Sequence, residues 1–91
     1  MSKPKHLTIM GKKIPIRYFD SLSKGDLGRF EVYPTEIHIV DDDHWREHLL
    51  HEVLHAILFL SGHSEQLDQK LEEAIVRAIE HGLLGIRGWK I

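Results

Sequence analysis

Residues 45–60 form the most apolar segment of the chain, and their apolar side chains recur at intervals of three and four. This period is that of an α-helix. The aspartates at positions 41–43 precede the segment and favour a helix N-terminus, where carboxylates accept hydrogen bonds from free amide groups. Gly62 ends the pattern, as glycine commonly does just beyond a helix. Because apolar residues surround most of this helix, we expect it to be largely buried.

Three polar residues interrupt the predicted helix in its middle, where such groups are costly unless something satisfies them. His51 and His55 are one turn apart, so they project from the same face and can bind one metal ion together. Glu52 lies about 100° around the helix, where it can hydrogen-bond a water on that metal without binding the metal. Zinc lowers the pKa of its bound water toward about 7, and such a glutamate removes the proton. This spacing is typical of metal-assisted peptide hydrolysis.

Histidine is frequent throughout the chain, with eight among 91 residues. His44 and His48 continue the stripe of His51 and His55 toward the start of the helix. We expect them to line the cleft or face solvent, with an accessory metal site as the alternative. The structural alternative for the whole cluster is that these are surface histidines or hydrogen-bonded core histidines.

A catalytic zinc site requires a third protein ligand and one position open to water. The extended motif that supplies a third histidine is absent, because Leu58 and Ser61 occupy the positions of its glycine and that histidine. The common alternative is a glutamate of the following helix. Glu72 and Glu73 both lie at a suitable distance along the chain after His55.

The run His51-Glu52-Val53-Leu54-His55-Ala56, followed by Glu73-Ala74-Ile75, resembles the gluzincin, or thermolysin-like, class of zinc metallopeptidases. The strand-rich front of the chain resembles small metallopeptidase-like proteins of phages and mobile elements. The resemblance covers residues 36–84, and H-E-x-x-H is its sharpest part. It implies one zinc ion per chain, bound by His51, His55 and Glu73, with Glu52 as general base. Periodicity instead places Glu72 nearer the apolar stripe of the second helix, so the choice between the two glutamates stays open.

The chain departs from the gluzincin pattern at two points. Arg77 stands four residues after Glu73, where the family often has a carboxylate that supports a metal-binding histidine. Support for the two histidines must therefore come from elsewhere. The second departure is that no residue clearly stabilises an oxyanion; the candidates by chemistry are Tyr33, His38 and His81.

The first forty residues predict a small sheet. Residues 7–9 and 14–19 flank a glycine-containing connection and suggest a hairpin, with Pro15 marking an edge strand or an irregularity. Residues 30–33 and 36–40 alternate apolar and polar side chains, as strands do. By the resemblance, residues 36–40 are expected to form an edge strand that aligns the substrate by adding it to the sheet.

A second helix is expected to begin near Ser64, a favourable N-cap, and to run to about Gly82. Trp45 and Trp89 are interpreted as core or lid aromatics, since no basic patch accompanies them. The predicted fold class is α+β: a small, mostly antiparallel, twisted sheet of three to four strands followed by two packed helices. By the resemblance this is a minimal zincin-like core, and we expect a single domain over residues 1–91.

The composition excludes several classes of function. The absence of cysteine rules out disulfides, cysteine nucleophiles and all-cysteine zinc sites. The net charge of −2 offers no general field for nucleic acid. The longest uninterrupted apolar run, residues 56–60, is far shorter than the roughly 20 residues of a membrane span, and nothing resembles a secretory signal. We expect a cytoplasmic protein that acts on a peptide or protein substrate, with no nucleic-acid or membrane partner.

The sequence thus predicts a zinc-dependent metallopeptidase. The competing hypothesis is a catalytically weak or inactive zincin-like domain that binds metal and acts as a protein-interaction or regulatory module. The small size of the chain, Arg77 and the missing oxyanion stabiliser favour this alternative.

Overall fold

A computed structural model describes residues 3–88, so the prediction for Trp89 falls outside the described residues. Four strands precede two α-helices, and the α+β class is confirmed. Short 3-10 helices cover Ser23–Gly25 and His63–Gln66. Among residues 3–88, no helix has the length and apolar character needed to cross a membrane. The main elements are β1 (His6–Ile9), β2 (Lys12–Phe19), β3 (Gly28–Glu31), β4 (Glu36–Val40), α1 (Trp45–Leu60) and α2 (Gln69–Leu84).

The four strands form one mixed sheet in the order β1-β2-β4-β3. The β1–β2 and β4–β3 pairs are antiparallel, whereas β2 and β4 run parallel. Met10 and Gly11 join β1 to β2 with positive φ values of 49° and 81°. This two-residue turn has the backbone twist that matches the strands it connects, as the predicted hairpin requires.

The prediction that residues 36–40 form an edge strand is wrong, because β4 lies between β2 and β3. The alternation of side chains identified the strand correctly but carries no information about its neighbours.

Pro15 also lies in an interior strand. It pairs with β1, and the pairing of β2 with β4 begins only at Ile16, so the missing amide hydrogen breaks no ladder bond to β4. The edge beside the helices is β3.

The core lies between one face of the sheet and α1. Only three of the sixteen residues of α1 are buried, namely Leu49, Glu52 and Ala56. The expectation that α1 is largely buried is therefore wrong: one sheet and one neighbouring helix cover only part of its circumference, and Ile57 and Phe59 remain exposed. The buried core consists of Ile9, Ile14, Ile16, Ile37, Ile39, Leu49 and Ala56, and Trp45 packs against it.

One of the aspartates before α1 bonds to the N-cap residue and not to the free amide groups of the first helical turn. The Asp42 carboxylate accepts a hydrogen bond from the His44 backbone N–H at 2.8 Å. His44 itself occupies the N-cap position and makes no side-chain capping bond. Asp42 therefore stabilises the turn that leads into the helix.

The second helix begins at Gln69 and not near Ser64, which lies in a 3-10 helix. Gly62, with φ of 84°, follows the end of α1, and the 3-10 helix His63–Gln66 lies between it and α2. Asp68 is the N-cap of α2, and its side chain accepts a hydrogen bond from the Leu71 N–H at 2.8 Å. The stronger cap decides the start of the helix.

The helix α2 turns its acidic side toward α1. Val76 is its one fully buried residue, whereas Leu71, on the apolar stripe, is 48% exposed. Glu72, Glu73 and Glu80 lie three or four residues from Val76 and therefore share its side of the helix. Both candidate glutamates therefore lie on the side of α2 that faces α1, although periodicity placed Glu72 nearer the apolar stripe than Glu73.

Candidate metal centre

Three side chains from the two helices converge on one point. His51 Nε2 lies 2.9 Å from one carboxylate oxygen of Glu73, and His55 Nε2 lies 3.0 Å from the other. One ligand atom from each of these residues lies within 4.8 Å of the other two, and all three residues are half-buried. Two imidazole nitrogens and one carboxylate oxygen are a donor set of catalytic zinc sites. The residues present therefore fit zinc, and Glu73 is placed to complete the set.

Each histidine has a second carboxylate on its other nitrogen. His51 Nδ1 lies 2.9 Å from Glu80, and His55 Nδ1 lies 2.7 Å from Glu72. When Nδ1–H donates to a carboxylate, the Nε2 lone pair is free for a metal, and the ring is held in orientation. Glu72 thus faces the opposite nitrogen of the ring from Glu73. Glu72 and Glu80 are thus placed to give the two histidines the support that Arg77 cannot give.

The sequence reasoning missed Glu80, although a signal was present. Glu80 follows Glu73 by seven residues, which is two helical turns and returns to the same side of α2. A carboxylate seven residues after the candidate ligand, and not only four residues after it, therefore indicates a partner for a metal-binding histidine.

Neutralising the supporting carboxylates tests this arrangement. We expect Glu72→Gln and Glu80→Gln each to weaken zinc binding by about 10- to 100-fold, because losing such outer partners reduces ligand basicity and orientation. Competition with a chromophoric chelator measures the change. Glu65→Gln, in the 3-10 helix before α2, is the matched control and should bind zinc as the unchanged chain does. A Glu72→Gln protein that loses zinc as completely as Glu73→Gln would make Glu72 the ligand.

Glu52 is buried beside the cluster, with 7% of its surface exposed. Its side chain packs against the backbone of β3 at Gly28, where an added Cβ would lie 2.9 Å from Glu52 Cγ and 3.0 Å from Oε2. Burial raises the pKa of this carboxyl above its ordinary value, although the charges of His55 and His51 oppose the increase. Gly28 is thus the residue that makes room for the Glu52 side chain. The sequence pattern does not predict this contact between Gly28 and Glu52, because the two residues are 24 positions apart.

Adding a single methyl group at Gly28 should displace Glu52. We expect Gly28→Ala to lower the free energy of unfolding by about 1–3 kcal/mol, as overpacking does, while zinc still binds. Urea denaturation measures the change. Gly82→Ala is the control, since a Cβ there meets nothing within 4 Å. That substitution lies inside α2 and should raise stability by up to about 1 kcal/mol. Equal stability of Gly28→Ala and the unchanged chain would show that the contact is not restrictive.

Opposite charges in the cluster favour its ionised groups. Burial alone would lower the pKa of His51, but its hydrogen bond to Glu80 and the charges of Glu52, Glu73 and Glu80 raise it overall. Burial alone would raise the pKa of Glu73, but the hydrogen bond from Arg77 and the two histidines lower it overall. Protons therefore compete with a metal at His51 from a higher pH than at an ordinary histidine.

The cluster opens into a cleft of about 500 Å³ between α1, α2 and the segment that leads into β3. His48 lines this cleft and contacts Asp42 through Nε2 at 3.0 Å, whereas the side chain of His44 is mostly exposed. Neither belongs to the metal cluster found among residues 3–88. The accessory metal site therefore gains no support.

Of the three residues considered as oxyanion stabilisers, only His81 lines the cleft. Tyr33 is 94% exposed and lies elsewhere on the surface. His38 lies in β4 and makes a hydrogen bond with Glu36 at 2.8 Å.

Comparisons with protein-family models, with curated proteins and with solved structures found no match for this chain.

Proposed function

We propose that this chain is a zinc-dependent metallopeptidase in which His51, His55 and Glu73 bind the metal and Glu52 is the general base. One observation carries the proposal: the Nε2 atoms of both histidines meet the Glu73 carboxylate beside a buried glutamate, at the wall of an open cleft. The spacing of His51, Glu52 and His55 on one helix supports the same assignment. The resemblance to gluzincins agrees with it.

The proposed roles follow from the chemistry of each side chain. Zinc, when bound, acts as a Lewis acid and lowers the pKa of a coordinated water toward about 7. Glu52 accepts a proton from the attacking water on its carboxylate and later donates it to the leaving amine. The raised pKa of Glu52 suits this exchange, because a base works best when its pKa approaches the working pH. Glu72 and Glu80 hold the two imidazoles in orientation.

A peptide or protein substrate is proposed because of the shape of the cleft and its surroundings. The strand β3 lies at the edge of the described sheet, and its first residue, Gly28, lines the cleft. An edge strand offers unpaired backbone groups to which an extended peptide can bind. A cytoplasmic location is also part of the proposal and is supported by the lack of cysteine.

The direct test is cleavage of an unstructured protein such as casein by the zinc-loaded chain, with fragments identified by mass spectrometry. We expect fragments to form with zinc, to disappear after chelation and to return when zinc is restored. A chain that binds one zinc but releases no fragment would contradict the peptidase.

The second candidate is a metal-binding interaction module, and a specific observation favours it. The apolar residues Leu71 and Ile79 of α2 and Ile57 of α1 are exposed on the helical layer. Exposed apolar surface of this kind is typical of protein–protein contacts. Because both candidates bind zinc, only cleavage distinguishes them.

A further inference from the structure

Arg77 occupies an unusual position beside the metal centre. Its Nε–H donates to a carboxylate oxygen of Glu73 at 3.2 Å, and the same oxygen lies 2.9 Å from His51 Nε2. The side chain of Arg77 lines the cleft and is 69% exposed. Its hydrogen bond to Glu73 uses Nε, and the two terminal amino groups make no hydrogen bond to another side chain among residues 3–88.

Arg77 is the single lysine or arginine among the described residues that line the cleft. Five carboxylates share the wall with three histidines, Leu27 and two glycines; the carboxylates are Asp26, Glu47, Glu52, Glu73 and Glu80. An anionic group on a substrate is repelled by these carboxylates, and Arg77 is the fixed positive charge among the described lining residues that attracts it. The planar guanidinium binds a carboxylate through two parallel hydrogen bonds, which an ammonium group cannot do.

The position of Arg77 relative to the metal ligands limits which carboxylate it can bind. The guanidinium and the Nε2 atoms of both histidines contact the same side chain, Glu73. An anion bound by Arg77 would therefore lie near a carbonyl held at the proposed metal site. In a peptide, the carbonyl carbon of the scissile bond and the carboxylate carbon of the next residue are roughly 3–4 Å apart. The carboxylate of a terminal residue that directly follows the scissile bond can therefore reach Arg77 while the scissile carbonyl is at the proposed metal site.

We propose that Arg77 binds the free C-terminal carboxylate of the peptide or protein substrate, so that the reaction releases the substrate's last residue. This inference rests on the proposed peptidase function. In the reaction the bond between the carbonyl carbon and the terminal amino acid's nitrogen breaks. The hydroxyl of water joins the carbonyl carbon, and the proton passes through Glu52 to the leaving amine. The apolar Leu27, exposed on the same wall, accommodates an apolar terminal side chain.

Binding measurements test the proposal without turnover. The protein is zinc-loaded Glu52→Gln, and the probes are N-acetyl-glycyl-leucine and its C-terminal amide, followed by isothermal titration calorimetry. We expect the free acid to bind about tenfold more tightly than the amide. Adding Arg77→Ala should abolish this preference, so that both probes bind alike. Arg46→Ala, an arginine of α1 that stacks on Trp45, is the matched control and should retain it.

Two results would overturn the proposal: equal binding of acid and amide by the parent protein, or a preference that Arg77→Ala leaves unchanged because it weakens both probes equally or not at all. Equal weakening of both probes would assign Arg77 to the carbonyl oxygen or to Glu73 instead. Zinc content of Arg77→Ala is measured first. If Arg77→Ala loses zinc, Arg77→Lys takes its place, because lysine keeps the positive charge. We expect Arg77→Lys to prefer the acid less strongly than the parent protein does, but still to prefer it. A preference equal to the parent's would contradict the two parallel hydrogen bonds of the guanidinium.

Cleavage rates of the two probes by the chain with Glu52 intact separate this proposal from the peptidase itself. Cleavage of acid and amide at equal rates would support the peptidase and contradict the role of Arg77. An Arg77-dependent preference in binding without cleavage of any peptide would support the anion site and contradict the peptidase.

Discussion

Glu52→Gln is expected to reduce peptide cleavage by about 10²- to 10⁴-fold, the contribution typical of a positioned general base. A glutamine has nearly the same shape, so it should fill the same space against Gly28, but its amide cannot accept the proton of the attacking water. Zinc binding should remain close to that of the unchanged chain, because Glu52 does not belong to the cluster of His51, His55 and Glu73. Cleavage of a fluorogenic peptide and titration with zinc measure the two effects separately.

Glu47→Gln is the matched control for this substitution. Glu47 is also on α1 and also lines the cleft, but it is exposed. Its replacement should change the cleavage rate by much less than that of Glu52. A Glu52→Gln protein that cleaves as fast as the unchanged chain would contradict the proposed mechanism.

The second large effect concerns the metal. We expect His55→Ala and Glu73→Gln each to lower zinc affinity by about three orders of magnitude, since a structural or catalytic zinc site distributes about 10–16 kcal/mol over a few ligands. Glu73→Gln also leaves Arg77 without its carboxylate partner. Native mass spectrometry of each protein at equal zinc concentration measures the occupancy. His63→Ala, an exposed histidine after α1, should retain one zinc per chain.

Thermal unfolding distinguishes loss of a ligand from loss of the fold. Zinc that binds only the folded chain should raise its melting temperature, and the shift should be absent in His55→Ala and Glu73→Gln. Both variants should still unfold cooperatively without zinc, because the core lies between the sheet and α1 and not at the metal. A full complement of zinc in either variant would contradict the ligand assignment.

The local features of this fold could be predicted because they depend on neighbouring residues. The strand Glu36–Val40 has the bounds that its alternation indicated, and α1 carries His51 and His55 on one face as the four-residue spacing requires. The spacing along the chain left two candidates for the third ligand, Glu72 and Glu73. Both contact His55, one at each ring nitrogen.

The remaining features depend on contacts between distant segments. The position of β4 inside the sheet follows from its parallel pairing with β2, which no local pattern encodes. The space that Gly28 provides for Glu52 exists only when β3 packs on α1. The apolar stripe of α2 suggested a buried face, yet its exposed Leu71 shows that the acidic side turned inward instead. The contacts of Glu72, Glu73 and Glu80 with the two imidazoles of α1 thus accompany an orientation of α2 that departs from the ordinary pattern of an amphipathic helix.

Anomalous diffraction at the zinc edge from crystals of the zinc-loaded chain tests the central claim most directly. We expect one peak per chain, about 2.0–2.2 Å from Nε2 of His51, Nε2 of His55 and a carboxylate oxygen of Glu73. The Nδ1 atoms of the two histidines should remain hydrogen-bonded to Glu80 and Glu72. No peak at this position at full zinc saturation, or a peak bound to other residues, would contradict the metal centre and the function proposed for it.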